Sequence, residues 1–172
     1  MFCISPTRDE MQAAATVAQS TELVDVRLMS IDAKNNIDMK TLRDKLYPEL
    51  NIDLEKYDVT DDGRLLVFSR LTVTVYSSSD NNDKREAAVA NINIQLLAEY
   101  QIPSGPVPED IKENGLPAFA KFNGLYNSWP YFRSLLQQVT TYMGYPSFVL
   151  PVLIIRVEKS EGEKEAIRKE EK

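Results

Sequence analysis

Histidine is absent from this 172-residue chain, and cysteine occurs once, at Cys3. Without an imidazole there is no Ser-His-Asp or Cys-His relay, no His-centred acid–base pair and no His metal ligand. A single thiol forms no internal disulfide and no thiolate cage, and it suits a reducing compartment. Long apolar runs are missing as well. No stretch approaches the roughly 18 apolar residues that a membrane span requires, and Arg8-Asp9-Glu10 breaks the region where a secretory segment would extend. Excess positive charge is also lacking. Lys and Arg number 20 against 26 Asp and Glu, and the net charge of −6 repels phosphate backbones and anionic lipid. The expectation is a soluble cytosolic protein that binds neither nucleic acid nor membrane. The carboxylates are scattered without catalytic or metal-ligand spacing, so no catalytic residue, metal or cofactor is assigned.

What the chain does carry is strand patterning. An Ala-rich stretch, DEMQAAATVAQS (9–20), predicts a short helix. In ELVDVRLMSIDA, Val24, Val26 and Leu28 alternate with Asp25 and Arg27, which predicts a half-buried strand. Residues 34–46 read as a turn leading into a short helical or irregular piece. A second strand is expected over 50–59, where Leu50, Ile52 and Leu54 alternate with polar residues, and Asp61-Asp62-Gly63 then supplies a hairpin turn. A third follows in RLLVFSRLTVTVYSSS, with Leu65, Val67, Leu71, Val73 and Val75 on one face. A fourth runs over 86–102, with Ala88 through Tyr100 alternating against Asn91, Asn93, Gln95 and Glu99. With no crossover helix among the last three, an antiparallel meander is expected.

At Pro103 the pattern changes, because seven of the nine prolines lie between Pro103 and Pro151. IPSGPVPED reads as an extended crossover loop and IKENGLPAFAKF as helical or turn-rich. A helix is then predicted with Ser128 as N-cap, Pro130 in its first turn and Gly144 at its end. Trp129, Phe132, Leu136, Val139 and Met143 form its core stripe, flanked by Tyr131, Leu135 and Tyr142. Arg133 is expected in a structural or interface ion pair. Asn123-Gly124 and Met143-Gly144 read as turns and helix ends, without the spacing of a phosphate-binding loop. The tail, 156–172, holds six acids and six bases and is expected as a solvated helix or an unfolded end. The fold class is α+β: a four-stranded antiparallel sheet packed against a C-terminal helix, with a short N-terminal helix. The division is an extension over 1–21, a domain over 22–155 and a charged tail over 156–172.

One such helix cannot cover both faces of strands this long. The uncovered area must be polar, meet another subunit or bind something. Nine of the fifteen aromatic residues lie between Phe119 and Phe148. For Phe119, Phe122, Tyr145 and Phe148 two readings stand open: core filling, or the lining of an apolar groove for extended polypeptide.

The order of four strands, a Pro-interrupted crossover and a helix opening on WPYFR (129–133) resembles the SecB protein-export chaperones. Tyr145-Pro146 and Phe148-Val149-Leu150-Pro151 follow in the family's order, and RLTVTVYSS (70–78) is similar to its third strand. The resemblance spans about residues 22–155. It implies an ATP-independent holdase, built as a dimer of dimers, with unfolded polypeptide clients in long apolar grooves. The matching client-binding positions are Phe119, Phe122, Tyr126, Tyr145 and Phe148, with Tyr76 beside them. EKEAIRKEEK, at 163–172, lacks the Cys and His ligands through which the export form helps engage SecA. A stand-alone SecB-like protein is therefore expected, with an antitoxin or a preprotein as client. The reading from another class is a small-molecule or lipid-binding α+β domain with an apolar cleft between helix and sheet.

Overall fold

The computed structural model describes residues 2–35, 45–78, 88–102 and 108–157. Its elements run β1 (Phe2–Ile4), α1 (Arg8–Ala18), β2 (Glu22–Asn35), β3 (Lys45–Val59), β4 (Arg64–Ser78), β5 (Ala88–Gln101), α2 (Leu116–Phe119), α3 (Leu125–Tyr142) and β6 (Leu153–Ile155). The four long strands form one antiparallel sheet, covered on one face by helices. This is the α+β architecture expected from the sequence.

The strand order differs from the expected meander. It is β2-β5-β4-β3, so the first long strand pairs with the last and the second lies at the far edge. The hairpins β3-β4 and β4-β5 behave as a meander, and β2 joins them from outside in a Greek-key relation. Register shifts in β2 at Leu23/Asp25 and Leu28/Ser30 add one residue each time. Val24 is thereby thrown out of the face it was expected to share with Val26 and Leu28. The second shift returns Ile31 to that face, opposite Ile94. β3 begins at Lys45, earlier than the predicted Leu50, and admits Pro48 because it is an edge strand. The prediction for 34–46 falls largely on residues outside those described. So do the crossover over 103–107 and the tail from 158.

Alternation in β4 and β5 sends Leu65, Val67, Leu71 and Val73 inward with Ala90, Ile92, Ile94 and Leu96, all essentially unexposed. The opposite face is polar and bonds to itself. Thr72 donates to Asn93 at 3.1 Å, Thr74 to Asn91 at 3.3 Å, and Ser30 to Gln95 at 2.6 Å. Glu99, 4% exposed at its side chain, bridges Arg27 of β2 at 2.8 Å and Arg64 of β4. Arg133, expected in an ion pair, makes none among the described residues.

α1 starts in a capping box. Glu10 N–H donates to Thr7 Oγ1 at 3.2 Å, and Thr7 N–H donates to a Glu10 carboxylate oxygen at 2.9 Å. That backbone bond, with Lys121 beside it at 3.1 Å, holds the Glu10 carboxyl below its usual range. Ala14 and Val17 turn inward onto the second half of the core.

Helical backbone runs unbroken from Glu109 to Tyr142 through π turns at Ile111–Gly115 and Ala120–Gly124. The helix therefore does not begin at Ser128, and Asn123-Gly124 is not a turn. Ser128 is buried inside α3 and accepts a hydrogen bond from Ser69 at 3.3 Å. Gly124 is needed where the π turn meets the sheet, since a Cβ there would stand 2.5 Å from Val67 Cγ1. Pro130 lies in the helix interior, so the amide bond usual at that position is missing. The far end is as predicted. Gly144, at φ +81°, closes a Schellman motif in which Tyr145 N–H donates to Thr140 O at 3.0 Å and Gly144 N–H to Thr141 O at 3.1 Å.

Candidate functional site

The core face is not covered evenly. Trp129, Phe132 and Leu136 of α3 are buried over the middle of the sheet, and Val139 and Met143 continue the stripe half-buried. The chain after α3 then passes toward β3. The Trp129 indole N–H donates to Pro151 O at 2.9 Å, and Leu150 and Leu153 are buried. Between this returning segment and the sheet lies a cavity of 320 Å³, lined by Leu46, Pro48, Val73, Val75, Thr140, Tyr145, Pro146, Ser147 and Phe148. Its walls are mainly aliphatic and aromatic, while Pro48, Pro146 and Ser147 stand exposed at its rim. It is a cleft open at the edge of the sheet.

Tyr145 fixes one end of the cleft. Its hydroxyl donates to Asn35 Oδ1 at 3.0 Å and lies 3.3 Å from Val89 O, and burial raises its pKa. The Phe148 amide donates to Thr140 Oγ1 at 3.4 Å, which ties the half-buried phenyl ring to the helix end. Further along β3 a second cavity, of 430 Å³, is lined by Ile4, Ile52, Asp53, Leu54, Lys121 and Leu125. The inward positions Leu46, Pro48, Leu50, Ile52 and Leu54 link the two cavities. At about 3.4 Å per residue this row is about 27 Å long.

The six client-binding positions taken from the sequence do not form one surface. Tyr145 and Phe148 share the cleft. Phe119 and Phe122 are buried, 2% and 1% exposed, in the cluster that holds Leu65, Val67 and Tyr100. There Phe119 meets the Tyr100 ring edge-on at 5.0 Å. Tyr126 is exposed on α3, and Tyr76 is half-buried on the opposite face of the sheet. Burial also pushes the Tyr100 hydroxyl up to about 12, although Asn127 donates to it at 3.1 Å. Leu46 and Pro48 of β3, which lie before the predicted strand start, and the β1 contribution escaped the sequence reading. The alternation Leu46-x-Pro48-x-Leu50 was a visible signal for the former, masked by the proline.

Among the described residues no cluster of His, Cys, Asp or Glu is placed to hold a metal ion, and no helix is long and apolar enough to cross a membrane. What the cleft offers is apolar area beside a strand edge.

No family profile matches the sequence, and no curated protein is significantly similar to it. Similarity appears at the level of structure. The fold matches that of a SecB-like chaperone from Mycobacterium tuberculosis, solved in complex with a ChAD peptide from the HigA1 antitoxin. The TM-score is 0.68 at 20% identity, over 84% of this chain and 98% of that one. A Streptococcus agalactiae protein of unknown function aligns over 77% of this chain and 97% of its own, at 13% identity and a TM-score of 0.29. The fold is thus α+β and SecB-like: a four-stranded antiparallel sheet, a long C-terminal helix and a short N-terminal helix.

Proposed function

We propose that this protein is an ATP-independent holdase that keeps unfolded or partly disordered polypeptides from aggregating. The observation that carries the reading is the apolar cleft along β3, an edge strand among the described residues, where an extended chain would find apolar walls beside a sheet edge. Phe148 and Tyr145 form the aromatic end of the site, and Tyr126 extends the contact surface along α3. Phe119 and Phe122 support the groove from beneath, and Tyr76 serves clients that wrap to the other face. The work needs no cofactor and no catalysis. The protein acts in the cytoplasm, and its client is an antitoxin or a preprotein. The antitoxin peptide held by the structurally similar chaperone favours the first.

A dimer of dimers completes the assembly. Leu28, Met29 and Ile31 of β2, 48%, 51% and 38% exposed, provide apolar area on the opposite edge for a second copy.

The test is suppression of aggregation of a reduced, unfolded model protein without nucleotide. Phe148→Ser is expected to weaken suppression about tenfold while leaving the oligomer intact. Undiminished suppression by that variant removes the cleft from the mechanism. Native mass spectrometry addresses the small-ligand reading, for which a co-purifying lipid in the 320 Å³ cavity would speak.

A further inference from the structure

Beside the cleft, the chain already holds an extended segment of its own. β1 lies parallel to β6, pairing Phe2 with Leu153, Cys3 with Ile154 and Ile4 with Ile155. The bond from Arg156 N–H to Ile4 O, at 2.9 Å, extends the ladder. These two strands form a sheet separate from the four-stranded one. Ile4 inserts its side chain at the second cavity, against Ile52, Leu54 and Leu125, and touches both halves of the core. At the other end of the β3 row, Leu46 and Pro48 are faced by residues 145–148 of the segment that returns from α3. A two-stranded ladder of three residues is marginal by itself. Apart from this ladder, Ile4 is the described β1 side chain packed against the core, and such short, part-exposed elements open at low free energy.

We propose that β1 is a stand-in for a client strand. The seat on β6 takes an extended peptide running parallel to Leu153–Ile155, with a branched aliphatic residue in the position of Ile4, once β1 has left. β1 thus competes with clients and sets the affinity of the groove. This rests on the holdase reading and adds to it a direction of binding, a side-chain preference and a built-in competitor. The occupant is known in kind because the chain's own Phe2-Cys3-Ile4 already fits there, main chain to main chain.

The lone thiol supplies the handle. Directly paired residues on neighbouring strands stand about 4.8 Å apart, within reach of a disulfide. Ile154→Cys therefore allows position 154 to be cross-linked to Cys3 by copper–phenanthroline oxidation and released by dithiothreitol. Binding is read by anisotropy of fluorescein-labelled, reduced and carboxymethylated α-lactalbumin added to the full-length protein. The oxidised form is expected to bind at least fivefold more weakly than the same sample after reduction, and wild type to ignore the reductant. Ile4→Asp, which expels the strap without a cross-link, is expected to bind at least threefold more tightly than wild type. Equal affinity of the locked and released forms, or of Ile4→Asp and wild type, overturns the competition. If that happens while Phe148→Ser still binds weakly, the cleft stands and only the strap role falls. If no form binds, the holdase reading fails with it.

Discussion

The two edges of the main sheet are strands of similar length and opposite character. β3, of 15 residues, has an inward row that is half-buried apart from the exposed Pro48, and two cavities open along it. β2, of 14 residues, lies almost wholly exposed, with Val24 and Met29 thrown out at its two irregularities. α3 covers the middle of the sheet, and the exit segment walls the first cavity against Leu46 and Pro48 of β3, while reaching β2 through the Tyr145–Asn35 hydrogen bond at its end. Leu28 and Ile31 remain 48% and 38% exposed. Apolar area can thus be left over in two forms. A walled row suits one extended peptide, whereas a flat strip suits a second rigid surface of the same kind.

The largest expected effect separates the edges completely. Leu28→Asp with Ile31→Asp should abolish self-association, dropping the mass by light scattering to 19.5 kDa, with the protomer still folded because both side chains are exposed. A variant that remains assembled would place the contact elsewhere. Next, Phe122→Ala should disable both edges together. It removes a buried ring from the shared interior, at about 3–5 kcal/mol measured by urea unfolding. Gly124→Ala tests the same interior more gently. The new methyl meets Val67 at 2.5 Å, and about 1–3 kcal/mol of stability should be lost.

The smallest effect is a pH dependence in the interior between the edges. The folded-state pKa of Tyr100 is raised to about 12 from 10.0. Its stabilising contribution is therefore full below pH 10, and it declines as pH rises toward about 12, where the unfolded chain ionises first. Tyr100→Phe should flatten that alkaline decline in urea titrations, at a cost of about 1 kcal/mol near neutrality. An unchanged decline would assign it to other groups.

The interior was legible in the sequence because period-two alternation in β4 and β5 and the Trp129–Met143 stripe report burial directly. The edges were less so. The irregularities in β2 shift register by one residue, a change with no local composition signal. Strand order depends on where β2 finds a partner, which neighbouring residues do not encode. Ser128-Trp129-Pro130 carried a genuine helix-start pattern, but helical backbone was already running through Gly115 and Gly124, so the cap had no free amides to serve. Phe119 and Phe122 show the same limit from the site's side. A ring in a Pro-punctuated stretch reads alike whether it faces a guest or Tyr100. The parallel pairing of residues 2–4 with 153–155 joins chain ends that no periodicity connects.

The strand order also sets a timetable for the ribosome. Residues 36–87 must be made after β2 before its partner begins to emerge, and β1 waits until residue 153. The nascent chain therefore carries two unsatisfied strands while residues 36–87 are made, and β1 alone stays unpaired until residue 153, as β3 and β4 close locally behind them. Early life for this polypeptide resembles the condition of the guests proposed for it.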